Sequence, residues 1–120
     1  MKHLMRLNPR PFEMIKSGKK TIELRLYDEK RRAINVGDEI EFVNSSDGDE
    51  RLHCTVLKLH VFASFKELYE CLPLLSCGYT EEDVGCAHCS DMDEYYTPQK
   101  QKEYGVVGIE LIRTSLNTEE

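Results

Sequence analysis

Along the first eight residues Met5 and Leu7 alternate with Leu4 and Arg6, which reads as an extended segment. Pro9 and Pro11 suit a first helical turn, and Phe12 and Ile15, flanked by Met14, give a short helix one apolar face. Gly18 marks its end, where positive φ is common. Ile22, Leu24 and Leu26 then alternate with Thr21, Glu23, Arg25 and Tyr27, a strand with one apolar and one charged face. Asn35-Val36-Gly37-Asp38 reads as a turn, and Ile40 and Phe42 against Glu39 and Glu41 as a half-buried strand. Residues 45–49, with their Asp-Gly step, read as a polar hairpin loop.

A long strand follows over residues 52–62, and its apolar parity slips. Leu52, Cys54 and Val56 share one face, whereas Leu57, Leu59 and Val61 take the other. A bulge or strong bend absorbs such a slip, as a small barrel requires. Ser64-x-x-Glu67 is a capping box, and Phe65, Leu68, Tyr69 and Leu72 form the clearest helical stripe, read as core. Pro73 stops that helix. Residues 74–103 are irregular; Thr80 with Asp83, Ser90 with Asp93 and Thr97-Pro98 predict short helices over one barrel opening. Val107, Ile109 and Leu111 share a face of a last strand, and residues 117–120 are expected to fray.

Composition bounds this picture. A chain of 120 residues is read as one domain, 1–120, with a core of its own. No apolar run approaches a membrane span, and the start lacks a signal-peptide apolar region, so a cytoplasmic location is expected. The formal charge of −6 argues against a general grip on a phosphate backbone; tight binding of long RNA needs a local basic patch. Five cysteines in a cytosolic chain argue against a disulfide framework. Cys86-Ala87-His88-Cys89, with Cys77 or Cys71, has metal-ligand spacing, but no second C-x-x-C accompanies it, and surface or half-buried thiols are the preferred reading. No metal and no cofactor is expected.

The chemistry concentrates in Gly18-Lys19-Lys20-Thr21-Ile22-Glu23-Leu24-Arg25. In one reading Glu23 and Arg25 are a solvated pair worth less than about 1 kcal/mol. In the other they act together with Lys20 as one charged constellation. Lys20 has the parity of the apolar face, so it must lie at the strand mouth or in a bulge, from where its ammonium reaches the charged face. The run Asp28-Glu29-Lys30-Arg31-Arg32 is either a solvated loop or a basic rim, with Arg31 a candidate phosphate contact. Of the adjacent Tyr95 and Tyr96, one is expected in the core and one is free to reach a ligand, with Tyr96 the candidate for stacking or hydrogen bonding.

The pattern Gly-x-Lys-x-x-Glu-x-Arg, filled by Gly18, Lys20, Glu23 and Arg25, resembles the signature of the ASCH family (activating signal cointegrator homology). Leu7-Asn8-Pro9-x-x-Phe12-x-x-Ile15, Val36-Gly37-Asp38 and the closing stretch 104–110 also resemble small ASCH proteins, so the likeness spans nearly the whole chain. It implies an α+β fold, a PUA-like small β-barrel with short flanking helices. It also implies a cleft for RNA or a nucleotide-like ligand, lined by Lys20, Glu23 and Arg25. One bacterial branch similar to this family hydrolyses the amide of N4-acetylcytidine with a lysine and a threonine of the motif and a further glutamate. The lysine falls on Lys20, but the threonine position is Glu23 here; Glu81 and Glu82 lie in the general region of the further glutamate. An amidohydrolase using Lys20 and Glu23 on a modified nucleoside is the alternative, with Glu23 a general base on water. If the motif is a binding site rather than an ion-pair network, Glu23→Ala is expected to abolish binding at nearly unchanged melting temperature.

Overall fold

The computed structural model describes residues 1–114; the expected fraying of residues 117–120 lies outside the described residues. Its centre is a sheet of five strands, β1 (Lys2–Leu7), β2 (Ile22–Leu26), β3 (Glu39–Asn44), β4 (Asp47–Phe62) and β5 (Val106–Arg113). The spatial order is β1-β3-β4-β5-β2, parallel between β1 and β3 and antiparallel elsewhere. The sheet curls into a half-barrel, so β1 and β2 are its two free edges. Among the described residues four α-helices flank it: α1 (Pro9–Lys16), α2 (Glu29–Arg32), α3 (Phe65–Cys71) and α4 (Pro98–Tyr104).

Two cores follow from the register. On the face that carries α1, Phe12 and Ile15 pack with Met5, Leu7, Ile40, Phe42, Leu52, Cys54, Val56, Val107, Ile109 and Leu111. On the other face of β2 and β5, Ile22, Leu24, Leu26 and Val106 pack against Phe65 and Leu68 of α3. β2 is therefore covered on both sides, and its charged face lies on the α1 side, where Glu23 pairs with Ile109 and Arg25 with Val107. Gly108, between Ile22 and Leu24 across β5, leaves room for this packing; a Cβ there would lie 2.7 Å from Leu72 Cδ1.

The parity slip in β4 is a bulge. Val56 pairs with Leu111 and Lys58 with Glu110, which leaves Leu57 as the extra residue, exposed on the surface. The hairpin between β3 and β4 differs from the expected Asp-Gly loop. Its turn is Ser45-Ser46, and Asp47 already pairs with Asn44. The Asn44 side chain explains the shift: its Oδ1 accepts from Ser46 N–H at 3.0 Å and from Ser46 Oγ at 2.9 Å, an Asx turn that closes the hairpin early.

The irregular segment is a cap of short helices. Single 3-10 stretches cover Leu74–Ser76, Val84–Cys86 and Cys89–Glu94 before α4. Thr97 Oγ1 caps α4 by accepting from Lys100 N–H at 3.2 Å. His88, rather than Ser90, caps the 3-10 stretch at Cys89, accepting through Nδ1 from Ser90 N–H at 3.1 Å. The charge run expected as a loop is the single-turn helix α2, capped by Asp28. Among the described residues no helix is long and apolar enough to cross a membrane.

Candidate ligand-binding cleft

The half-barrel leaves a seam between β1 and β2, and a cleft of 470 Å³ opens beside it under the cap. That volume is within the range of small-molecule sites. Arg25 bridges the seam: its Nη2 donates to the Arg6 main-chain carbonyl on β1 at 3.0 Å.

Lys20 reaches the cleft because of the turn that follows α1 at Lys16. Gly18, at φ +84°, turns the chain, and Lys20 N–H donates back to Met14 O at 3.0 Å, so Lys20 precedes β2 rather than joining it. This is the strand mouth, one of the two positions that its parity allowed. Its stem crosses Gly78 of the cap, where a Cβ would lie 3.4 Å from Lys20 Cδ.

The three motif side chains converge on Glu23. Lys20 Nζ lies 2.8 Å from Glu23 Oε1, and Arg25 Nε donates to Glu23 Oε2 at 2.6 Å. Their side chains are 11%, 5% and 14% exposed for Lys20, Glu23 and Arg25. The Lys20 contact is short but poorly aligned, which leaves Oε1 without a well-directed donor. Burial pushes the Glu23 carboxyl up, but Lys20 and Arg25 together outweigh it and hold it below its ordinary 4.5. Glu23 is thus ionised at neutral pH, and the set carries net charge +1. Among the described residues Arg25 Nη1 has no partner, and the Lys20 ammonium keeps N–H groups beyond its contact with Glu23. The inner end of the cleft is a fixed array of donors.

The outer cleft has two unlike walls. Arg6 and Arg10 stand on the β1–α1 side, and Asp83, Asp91 and Glu94 on the cap side. Tyr96 stacks on Phe65 with centroids 6.3 Å apart and still lines the cleft, while its neighbour Tyr95 lines it from an exposed position. Burial raises the Tyr96 phenol despite the opposing charge of Arg25. Tyr96 thus serves core and cleft at once.

Arg31 is not brought to the cleft lining. Its Nη1 donates to Asp28 Oδ2 at 3.2 Å, and Arg32 turns away to the Tyr27 ring, 4.4 Å from its centroid, and to Tyr104 O. Glu81 and Glu82 are exposed outside the lining. Cys77 is buried at the cleft floor, Cys86 is exposed, and the His88 ring caps a helix; among the described residues no three His, Cys, Asp or Glu side chains converge on a metal position.

Sequence reasoning missed Arg6, Arg10, Tyr69, Tyr79 and Asp91 as cleft residues. Arg6 alternates with core residues on β1 and Tyr69 belongs to a core stripe, so periodicity assigned both to other roles. For Tyr79 and Asp91 no periodicity exists to place them.

Comparison with known proteins agrees with this architecture. The model of the ASCH domain matches residues 5–115. The hypothetical protein PH0355, known from a crystal structure, is 38% identical, with a TM-score of 0.78 over 95% of this chain and 100% of that one. Protein PF0455 from Pyrococcus furiosus, solved by NMR, is 37% identical, with a TM-score of 0.69 over 94% of this chain and 97% of that one. An ASCH protein from Zymomonas mobilis shares the fold at 15% identity and a TM-score of 0.62, over 92% of this chain and 66% of that one. The chain matches none of the curated proteins. A family match over nearly the whole length, on a mixed half-barrel sheet with flanking helices, means that the chain belongs to the ASCH domain family and has its PUA-like α+β fold.

Proposed function

We propose that the seam cleft binds a nucleotide-like ligand, free or as a single unit of an RNA strand. The observation that carries this reading is the Lys20–Glu23–Arg25 set, buried at the inner end of a 470 Å³ cleft with donors left over. Burying three charges is costly and contributes little to stability. A carbonyl or phosphate oxygen on the spare N–H groups of Lys20 and Arg25 gives that arrangement a use, and low dielectric strengthens each such contact. Tyr96, pinned on Phe65, offers a ring face for a base.

The charge balance favours one nucleotide over a phosphate track. Arg6, Arg10, Lys20 and Arg25 line the cleft together with Glu23, Asp83, Asp91 and Glu94, four of each sign. A track along an RNA backbone needs a basic stripe. Binding is favoured over hydrolysis because Glu23, held ionised below its ordinary range, is a weak base at neutral pH.

A panel of nucleosides, 5′-nucleotides and short RNAs, read by thermal shift on wild type and Lys20→Met, tests the reading. The expected result is stabilisation of the wild type by at least one nucleotide, lost in Lys20→Met. No stabilisation by any member, or equal stabilisation of both proteins, overturns it.

A further inference from the structure

The cap wall carries a hydrogen-bonded chain that the Lys20–Glu23–Arg25 set does not use. Tyr69 of α3 meets the Tyr79 hydroxyl at 2.8 Å, and Tyr79 donates to Asp91 Oδ2 at 2.6 Å. Asp91 Oδ2 also accepts from His88 N–H at 3.2 Å, which holds the carboxylate in place. All three side chains of the chain line the cleft.

The direction of this chain follows from counting protons. An ionised carboxylate only accepts, and a phenol has a single proton to give. The Tyr79 hydrogen bond, followed by that from His88, holds the Asp91 carboxyl low, so it is ionised at neutral pH. Burial and the Asp91 bond both push the Tyr79 phenol up, so Tyr79 keeps its proton and spends it on Asp91. Its oxygen then accepts the proton of Tyr69. Tyr69 has nothing left to donate, and what its oxygen offers the cleft is lone pairs.

We propose that the Tyr69–Tyr79–Asp91 chain fixes the Tyr69 hydroxyl as an acceptor on the cap side of the cleft, which selects amino-substituted bases over their oxo-substituted counterparts. The inference rests on the nucleotide-like reading of the cleft and adds the specificity to it. Lys20 and Arg25 supply donors at the inner end, and Tyr69 supplies an acceptor from the cap. A ring with an acceptor atom beside an exocyclic amine, as in 4-aminopyrimidines and 6-aminopurines, matches both. In the oxo counterpart a carbonyl oxygen replaces the amine and meets the Tyr69 lone pairs with no proton between them. An unmade hydrogen bond at a half-buried wall corresponds to about tenfold in affinity.

The test is calorimetric titration with matched pairs, cytidine against uridine 5′-monophosphate and adenosine against inosine 5′-monophosphate. Wild type is expected to prefer the amino member of a bound pair about tenfold. Tyr69→Phe removes the acceptor and is expected to bring the ratio near one without abolishing binding. Tyr79→Phe keeps Tyr69 but frees its proton for the cleft, so the ratio falls to one or inverts. A merely structural role would weaken both members of a pair together and leave the ratio alone. A wild-type preference for the oxo member, or an unchanged ratio in both variants, overturns the proposal. If wild type binds no nucleotide at all, the nucleotide reading itself fails and the wall's role falls with it.

Discussion

Replacing Glu23 by alanine removes the one anion between two buried cations. In wild type the carboxylate accepts a hydrogen bond from Arg25 Nε at 2.6 Å and forms an ion pair with Lys20 Nζ at 2.8 Å, and all three side chains are at most 14% exposed. Breaking a buried ion pair by removing one partner costs about 3–5 kcal/mol, because the remaining charge stays desolvated and unpaired. For a chain of this size that is a fall in melting temperature of about 10–20 °C. Burial thus reverses the expectation from sequence that Glu23→Ala leaves the melting temperature nearly unchanged. Urea unfolding of wild type, Glu23→Ala, Lys20→Met and the double variant Lys20→Met/Glu23→Ala measures this directly. Lys20→Met is expected to cost less than Glu23→Ala, since Arg25 still pairs with Glu23. The double variant isolates the coupling.

The pH dependence has a definite sign. The folded carboxyl of Glu23 lies below its ordinary 4.5, so its contribution is present above that pH and is lost as pH falls through the lowered folded value. The gap in stability between wild type and Glu23→Gln should therefore narrow on acidification below pH 4.5. A Glu23→Ala variant within about 0.5 kcal/mol of wild type, the range of an exposed pair, would refute the burial on which this reasoning stands.

Three further outcomes follow. Gly108→Ala places a Cβ 2.7 Å from Leu72 Cδ1 and 3.1 Å from Ile22 Cγ2, so it should cost about 1 kcal/mol by chemical denaturation, with Leu72→Ala relieving the clash; no loss would mean Leu72 does not cover β5. Native thiol titration should modify the exposed Cys71 and Cys86 first. Cys54 and Cys77, buried and pushed up to about 11, should react only on unfolding, and fast loss of all thiols would contradict the packing. If RNA enters by one nucleotide, log K against log salt should have a slope of about −1, whereas a slope steeper than about −4 would indicate a phosphate track.

Much of the fold was legible because it rests on local pattern. The parity of Lys20 called for a strand mouth or a bulge, and the structure has the strand mouth; the phase slip after Val56 called for a bulge or a bend, and the structure has a bulge at Leu57. The destination of the charged face of β2 was not legible. Alternation states that two faces differ, not which neighbour each meets; α3 covers Ile22 and Leu24, which turns Glu23 and Arg25 toward the α1 side and the seam. The hairpin turn was misplaced because a side-chain acceptor on Asn44 outweighed the Asp-Gly signal. The cap wall was invisible for a different reason. Tyr69 and Asp91 come from separate short helices and Tyr79 from the loop between them, and only the packing of the cap on α3 joins their hydroxyls and carboxylate.

The most direct measurement is a crystal structure of the complex with the 5′-nucleotide that stabilises the protein most. The account predicts the nucleotide in the seam cleft, with an oxygen or ring acceptor within hydrogen-bonding distance of Lys20 Nζ or Arg25 Nη1 and the base beside Tyr96. A nucleotide bound elsewhere on the surface, with Lys20, Glu23 and Arg25 contacting only one another, would contradict it.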